Sequence, residues 1–293
     1  MPAGPTERPT IGVALKWVDL RPEVDPLTGA IHDDLHSFGC SEADRAALEW
    51  ALRLAESWPG GDVDGERAEP PDVVVVTAGP AEADALVRDA LAAGATRGVL
   101  VDVAPDAPSP EVAALLTGVL EGADLVCCGD YSVDRGSGSV PAFLAAGLGA
   151  VQALGLVHLE REPSGTLRVT RRLDHGRREV LAVQAPAVLS FEGASAELRR
   201  AGLAAVLSAR DIAIDVVPAI AGRVARTQVT RRAPYRPRSR SLRPPAADLD
   251  VRGRVLSLTG ALVERTPPRT IRADAAEAAN LVIDQLRTWG YLE

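Results

Sequence analysis

Lysine is almost missing from this chain: Lys16 stands alone, and every other Lys/Arg position is Arg. Aromatic residues make up 3% of the 293 residues against 46% hydrophobic overall, so the core must be assembled from Ala, Val and Leu. Cysteine is scarce as well. Cys40, Cys127 and Cys128 are an odd and low count that does not build a disulfide framework. Cys127 and Cys128 lie inside an apolar run, where core packing is expected. Three such thiols fit a reducing, cytoplasmic setting. No apolar stretch approaches the roughly 18 residues that would cross a bilayer, so no membrane insertion is expected. The N-terminal MPAGPTERPT is polar, without the apolar segment of a secretory signal, so none is expected. A formal net charge of −8 argues against a general polyanion-binding role.

What is present is alternation. Residues 10–18 (TIGVALKWV) read as a strand. Residues 41–58 read as a helix, opened by Ser41 and Asp44 in a capping-box arrangement, with Leu48, Ala51, Leu52 and Ala55 on one face. The β-branched run 73–76 (VVVV) is the signature of a strand buried on both faces of a parallel sheet. A helix at 81–95, a strand at 98–103 and a helix at 109–123 follow, the last with Ser109 as N-cap and Pro110 at N1. The strand 124–129 closes the series. Alternating strands and helices of this kind predict an α/β fold with a doubly wound, mostly parallel, Rossmann-like sheet. Right-handed crossovers put the strand C-termini on one edge, where such sheets bind ligands, so Lys16, residues 77–79 and residues 129–139 should gather there.

Beyond residue 149 the texture changes. Residues 166–174 and 178–185, joined around His175 and Gly176, read as an antiparallel hairpin. Residues 186–192 return as a strand to the main sheet, and 196–210 read as a helix. Residues 1–215 thus form the expected α/β nucleotide-binding domain. Residues 216–293 read as a C-terminal arm. Its segment 223–245 is crowded with Arg and Pro, holds no acidic residue and cannot bury enough apolar surface to fold alone. A terminal helix at 274–289 places Ala278, Leu281, Val282 and Leu286 on one stripe, suited to docking on a partner subunit. Tyr235 is the one aromatic in the Arg-rich segment, so interleaved stacking is missing and no nucleic acid is expected.

The stretch with most chemistry is GDYSVDRGSGSV, residues 129–140, between an apolar strand and an apolar helix. Glycine lets a backbone approach a ligand and adopt positive φ. Serine adds hydroxyls, and a helix start adds free N–H groups and a positive dipole end. Those properties suit a phosphate, and they equally suit a tight strand-to-helix turn with a Ser cap. Neither GxGxxG nor the Walker A pattern is present, and the missing GxSxG disfavours a nucleophilic serine. Lys16, at a strand end, either meets a phosphate or carboxylate or snorkels at the rim. His32, Asp33, Asp34 and His36 crowd one loop, but their spacing fits no established ligand pattern, and no metal is expected.

The order of segments resembles the beta subunit of electron transfer flavoproteins. VALKWVD is similar to the family's opening strand, and VVTAGPAEADALVRDALAAGATRGVLV follows its second strand, helix and third strand. The Gly/Ser loop stands where the family has a small polar phosphate loop. VTRRLDHGRREVLAVQAPAVLSF resembles its hairpin and return strand, and TGALVERTPPRTI its C-terminal arm. The likeness runs in order over nearly the whole chain. It implies a heterodimer with an alpha subunit, FAD held mainly by that subunit at or across the interface, and a structural AMP in this chain. It implies an electron carrier that accepts electrons from dehydrogenases, with no catalysis by this chain alone.

The AMP positions it implies are Ala14, Ser41 and Ala78, with Gly129, Ser132, Asp134, Arg135, Gly136, Ser137, Gly138, Ser139 and Val140 of the loop. The phosphate would lie over Gly138, Ser139 and Val140. Leu203 aligns with an apolar anchor that inserts into the dehydrogenase; from the residues alone it reads equally as helix core. Ser41 stands where the family often has Asn, and residues 138–140 lack its amide-bearing run. Arg172 stands where an acid often precedes the family's Asp. Other readings are a flavin-bifurcating beta subunit with its own FAD, a nucleotide-free scaffold, and an ATP-using adenylating enzyme of the same fold. The last is disfavoured by KWVDLRP where such enzymes carry a Gly-rich loop. The Arg-for-Lys usage is similar to that of members associated with mycofactocin-dependent oxidation in actinobacteria.

Overall fold

The computed structural model describes residues 8–32, 34–58, 62–63, 66–67, 69–105, 107–219, 244–259 and 270–292. Asp33, most of the Arg/Pro-rich segment (through residue 243) and residues 260–269 of the arm lie outside the described residues. The chain divides into two units, residues 1–232 and 233–293.

The first unit is built on a nine-stranded sheet. Its strands are β1 (Thr10–Leu15), β2 (Asp72–Gly79), β3 (Arg97–Asp102), β4 (Leu125–Gly129), β5 (Val151–Arg161), β6 (Leu167–Arg172), β7 (Arg178–Val183), β8 (Ala187–Phe191) and β9 (Asp215–Pro218). They lie in the order β7-β6-β5-β8-β4-β1-β2-β3-β9. All pairings are parallel except those of β6, which runs against β5 and β7. The doubly wound, mostly parallel sheet and the hairpin expected from the sequence are therefore present, as is the return strand β8.

Helices α1 (Glu42–Glu56), α2 (Asp84–Ala93), α3 (Ser109–Val119) and α4 (Val140–Leu148) cover the sheet. Alternate residues of each strand feed opposite faces. Ile11, Val13, Val75 and Cys127 pack with α1 and α2, whereas Ala14, Val76, Val126 and Cys128 pack with α3 and α4. The neighbouring cysteines thus serve two separate cores, and both are free thiols. Burial raises the Cys127 thiol to about 12. Helix α2 stops at Gly94, which has φ 124°, and α4 at the left-handed Gly149. Among the described residues no helix is long and apolar enough to cross a membrane.

Three sequence expectations are corrected. Residues 10–18 are not one strand: β1 ends at Leu15, and Trp17–Asp19 pairs separately with Phe38–Cys40. Residues 196–210 are not one helix, for α5 spans only Leu203–Ala209 and follows Gly202. The backbone N–H of Arg199 donates instead to the Glu49 carboxylate at 3.1 Å, and residues 196–202 form no helix. Helix α3 begins at Ser109, with Pro108 rather than Ser109 at the N-cap. The strands β5 and β9 were not foreseen. In β5 the buried residues Ala153, Leu156 and Leu159 stand three apart, because two register shifts, one around Gly155 (φ 71°) and one between Leu156 and His158, break the alternation of a strand.

The second unit holds α6 (Val251–Thr259) and α7 (Ala275–Thr288). The expected terminal helix is present, capped by Asp274, whose carboxylate accepts from Glu277 N at 2.9 Å. Leu281, Val282, Trp289 and Tyr291 are exposed.

The seating of α4 depends on a close approach to α3. A Cβ on Gly147 would stand 2.6 Å from Thr117 Oγ1 and 3.2 Å from its Cγ2. Gly147→Val should therefore destabilise the fold by roughly 1–3 kcal/mol in urea titration, despite valine's better helix propensity.

Candidate functional site

Chain order reverses at β1, whose two neighbours are β2 and β4. The helices that follow β1 and β2 lie on one face, and those that follow β3 and β4 on the other. The C-terminal ends of β1 and β4 therefore part to form a crevice, the usual ligand position in an open α/β sheet.

Asp44 closes the floor of that crevice. It occupies the third position of α1 and is buried. Ser41 Oγ caps the helix by accepting from Asp44 N at 3.1 Å. The Asp44 carboxylate does not simply complete a capping box. Its Oδ2 accepts from the Ser41 hydroxyl at 2.9 Å and from Lys16 N at 3.3 Å, while Oδ1 accepts from Gly129 N at 3.1 Å. One side chain thus joins the start of α1 to the ends of β1 and β4. Gly129 is required here: a Cβ would lie 2.6 Å from Asp44 Oδ1. Burial pushes the Asp44 carboxyl up to about 6, and the Ser41, Lys16 and Gly129 bonds only partly oppose it.

The Gly/Ser loop closes on itself. Ser132 N donates to Ser137 O at 2.7 Å and Gly136 N to Ser132 O at 2.8 Å, with Gly136 at φ 62°. Lys16 Nζ ties β1 to this loop, donating to Ser132 Oγ at 2.6 Å and Asp134 Oδ1 at 2.5 Å; Ser132 Oγ also donates to Asp134. Burial lowers the Lys16 pKa, though Asp134 opposes the shift. Arg135 reaches across to the β3–α3 loop and donates to Ala107 O at 2.7 Å and Pro105 O at 2.6 Å. Arg135 also lines the crevice. A Cβ on Gly138 would collide with the Asp130 carbonyl oxygen. The hydroxyls of Ser137 and Ser139 make no hydrogen bond among the described residues.

The result is a cleft of about 950 Å³, counted to its open mouth. One wall is apolar: Ala14, Ala78, Ala104, Val112 and Leu116. The other is polar, formed by Lys16, Ser41, Arg135, residues 137–139 and the first turn of α4. Of the positions singled out in the sequence, Ala14, Ser41, Ala78, Gly129, Ser132, Arg135, Ser137, Gly138, Ser139 and Val140 line this cleft. Asp134 and Gly136 do not; the first holds Lys16 and the second makes the turn. Asp44, Trp17 and the α3 residues were missed as wall residues. For Asp44 a signal existed in its place three residues after Ser41. Leu203 lies elsewhere, at the start of α5, and is 74% exposed, so it is not core. His36 and Asp34 are exposed, with His36 Nδ1 2.9 Å from Asp34 Oδ1.

Fold and site together define a doubly wound α/β protein with a switch-point cleft that has an apolar wall and a polar one. Comparison with known proteins is more specific. Residues 37–222 match the family described as electron transfer flavoprotein domain. The chain is 36% identical over 169 residues to the electron transfer flavoprotein subunit beta of Bradyrhizobium diazoefficiens, covering 57% of this chain and 63% of that one. It is 32% identical over 167 residues to the subunit beta of Methylophilus methylotrophus, covering 55% and 60%. With that of Syntrophomonas wolfei it shares 29% identity over 199 residues, covering 66% and 72%. The aligned region spans about three fifths of the length of the first two relatives. The chain belongs to the electron transfer flavoprotein family, and each of these relatives is a beta subunit by name.

Asp44 gives the site a pH signature. Its folded pKa lies above the ordinary value of 3.8, so the folded state holds the proton more tightly and stability from this group is lost as pH rises from about 4 to about 6. Asp44→Asn removes that term. The stability of the variant relative to the unaltered chain should rise by up to about 3 kcal/mol between pH 4 and pH 7. Urea titrations across that range would show it, and a constant difference would rule the burial account out.

Proposed function

We propose that this chain is the non-flavin, beta-type subunit of a cytoplasmic heterodimeric electron carrier, and that its cleft holds AMP in a structural role. The observation that carries the reading is the polar wall of the cleft, where the Ser137 and Ser139 hydroxyls, unbonded among the described residues, Arg135 and the α4 N-terminus line one side of an apolar slot. A phosphomonoester carries about 1.5 to 2 negative charges, which one guanidinium and one helix terminus of roughly half a charge can largely balance. A triphosphate would leave most of its charge unmatched, which weighs against the ATP-using reading. Ala14, Ala78, Val112 and Leu116 would receive the base, and Ser137, Ser139 and the Val140 amide the phosphate.

The beta-subunit names of the relatives support an alpha partner. FAD, held mainly by that partner, supplies the redox chemistry. This chain contributes geometry: it carries the partner and presents a docking surface to electron-donating dehydrogenases. Leu203, with Leu207 exposed beside it on α5, supplies that surface. The exposed apolar side chains of α7 suit the alpha subunit.

Copurification with the flavin-binding partner, denaturation and mass analysis of the released nucleotides test the cofactor assignment. One AMP and one FAD per heterodimer are expected. Two FAD without AMP would place the protein among bifurcating members, and FAD alone would reduce the loop to a turn. Gly138 is a poor probe, because any side chain there collides with Asp130 whether or not a phosphate binds. Ser139→Asp separates the effects. A carboxylate beside a helix N-terminus is tolerated by the fold but repels a phosphate. Calorimetry should show AMP affinity at least about tenfold weaker, a loss of about 1.4 kcal/mol, at unchanged melting temperature.

Docking has its own check. Leu203→Ala should reduce kcat/KM for electron transfer from the donor dehydrogenase about tenfold while AMP content stays the same. An unchanged rate would remove Leu203 from the docking surface.

A further inference from the structure

The segment that leads into α5 is held in an unusual way. It borders an open groove lined by Leu15, Leu48, Leu86, Ala90, Leu198 and Val206, with Arg45 and Asp89 among them. Ala196, Leu198 and Ala201 pack from the segment against the main core, but only as partly buried side chains, so its position rests on its polar anchors as well.

The anchors are polar and come from the two flanking helices. Glu49, in the middle of α1 and only 4% exposed, accepts from Arg199 three times: from the backbone N at 3.1 Å, Nε at 3.0 Å and Nη2 at 3.2 Å. Arg53 Nε donates to the same carboxylate at 2.7 Å. Burial opposes its ionisation, but the Arg199 and Arg53 bonds outweigh that and hold the carboxyl below its usual range. Arg199 also reaches Glu56, one helical turn further along α1 from Arg53. Upstream, Trp50 Nε1 donates to Ser195 Oγ at 3.1 Å. At the far end, Arg88 of α2 donates to the carbonyls of Ala209 and Arg210, both at 2.9 Å.

We propose that Glu49 is the positioning residue of the docking segment: through Arg199 it holds residues 196–202 extended along α1, so that α5 presents Leu203 and Leu207 to a redox partner. Its significance for electron transfer rests on the docking role proposed above; its action on the segment does not. Glu49 touches neither cofactor nor partner and acts only through Arg199. The same helix carries Asp44 at the cleft floor, so one rigid element places both the nucleotide site and the docking surface.

Hydrogen exchange on the full chain tests this. Glu49→Gln keeps the volume and removes the charge. The bonded amides of the segment, those of Arg199, Val206 and Leu207, should exchange at least tenfold faster, while those of 41–48 and 125–140 keep their rates and AMP affinity is unchanged. Glu49→Asp, which retains the charge, should restore most of the protection. Arg199→Gln, which breaks the same pair from its half-exposed side, should reproduce the Glu49→Gln result should that variant fold poorly. In the heterodimer, Glu49→Gln should raise KM for the donor dehydrogenase about fivefold with kcat unchanged.

Exchange at the Arg199, Val206 and Leu207 amides within twofold of the unaltered chain in both variants would overturn the proposal. Uniformly faster exchange across the sheet would also overturn it, since that marks a general stability role. If segment exchange rises but neither Glu49→Gln nor Leu203→Ala alters electron transfer, the docking role falls and the positioning of the segment stands.

Discussion

The Asp44 carboxylate is the interaction on which the site depends. A buried carboxylate is costly unless its oxygens are satisfied, and here they accept from the Ser41 hydroxyl and from the amides of Lys16 and Gly129. Those three donors belong to the start of α1, the residue after β1 and the last residue of β4. Their geometry is fixed together or not at all. The absence of a side chain at Gly129 belongs to the same arrangement, for a Cβ would occupy the carboxylate's place. With these ends pinned, the loop after β4 has a defined origin, and Lys16 can fix its far side through Ser132 and Asp134. The cleft is the space left between these restraints and α3.

Helix α1 then acts as a common frame. Its first turn builds the cleft floor, its apolar face packs on β1 and β4, and its middle and last turns hold the segment before α5. Most of the unit is held by non-directional burial of Val, Leu and Ala. The cleft floor and the segment before α5 add directional bonds to single carboxylates. Burial tolerates small displacements; bonds of this kind do not. That division suits a subunit whose proposed work is to keep a nucleotide, a partner and a docking surface in fixed relation.

Much of the fold was legible because its signals are local. The run Val73 to Val76 and the apolar residues 125–128 could be little else than strands buried on two faces, and Gly94 and Gly149 mark helix ends. The edges of the sheet were not legible. In β5 two register shifts, around Gly155 and between Leu156 and His158, space the buried residues by three, and β9 is a four-residue strand that gains its identity only by pairing with β3. The helix pattern of 196–210 was half right. Its apolar periodicity is real, but the Arg199 amide finds a better acceptor in Glu49, 150 residues away in sequence. The loop 129–140 was legible from composition, and most of the positions named there line one cleft. Asp44 was visible as a cap and invisible as a wall, because its backbone partners stand 28 and 85 residues from it.

The sequence by itself determined the class of the fold, the edge of the sheet where a ligand belongs and the chemical character of the loop placed there. Those follow from periodicity and residue type, which act over a few residues. Only the tertiary structure decided which side chains meet: that Lys16 is bound to Asp134, that Arg135 is held by the β3–α3 loop, that Leu203 is exposed and that Glu49 holds Arg199. Such choices depend on which groups the assembled sheet and helices bring within hydrogen-bonding distance. A buried polar group takes the best partner within reach, and sequence spacing does not define that reach.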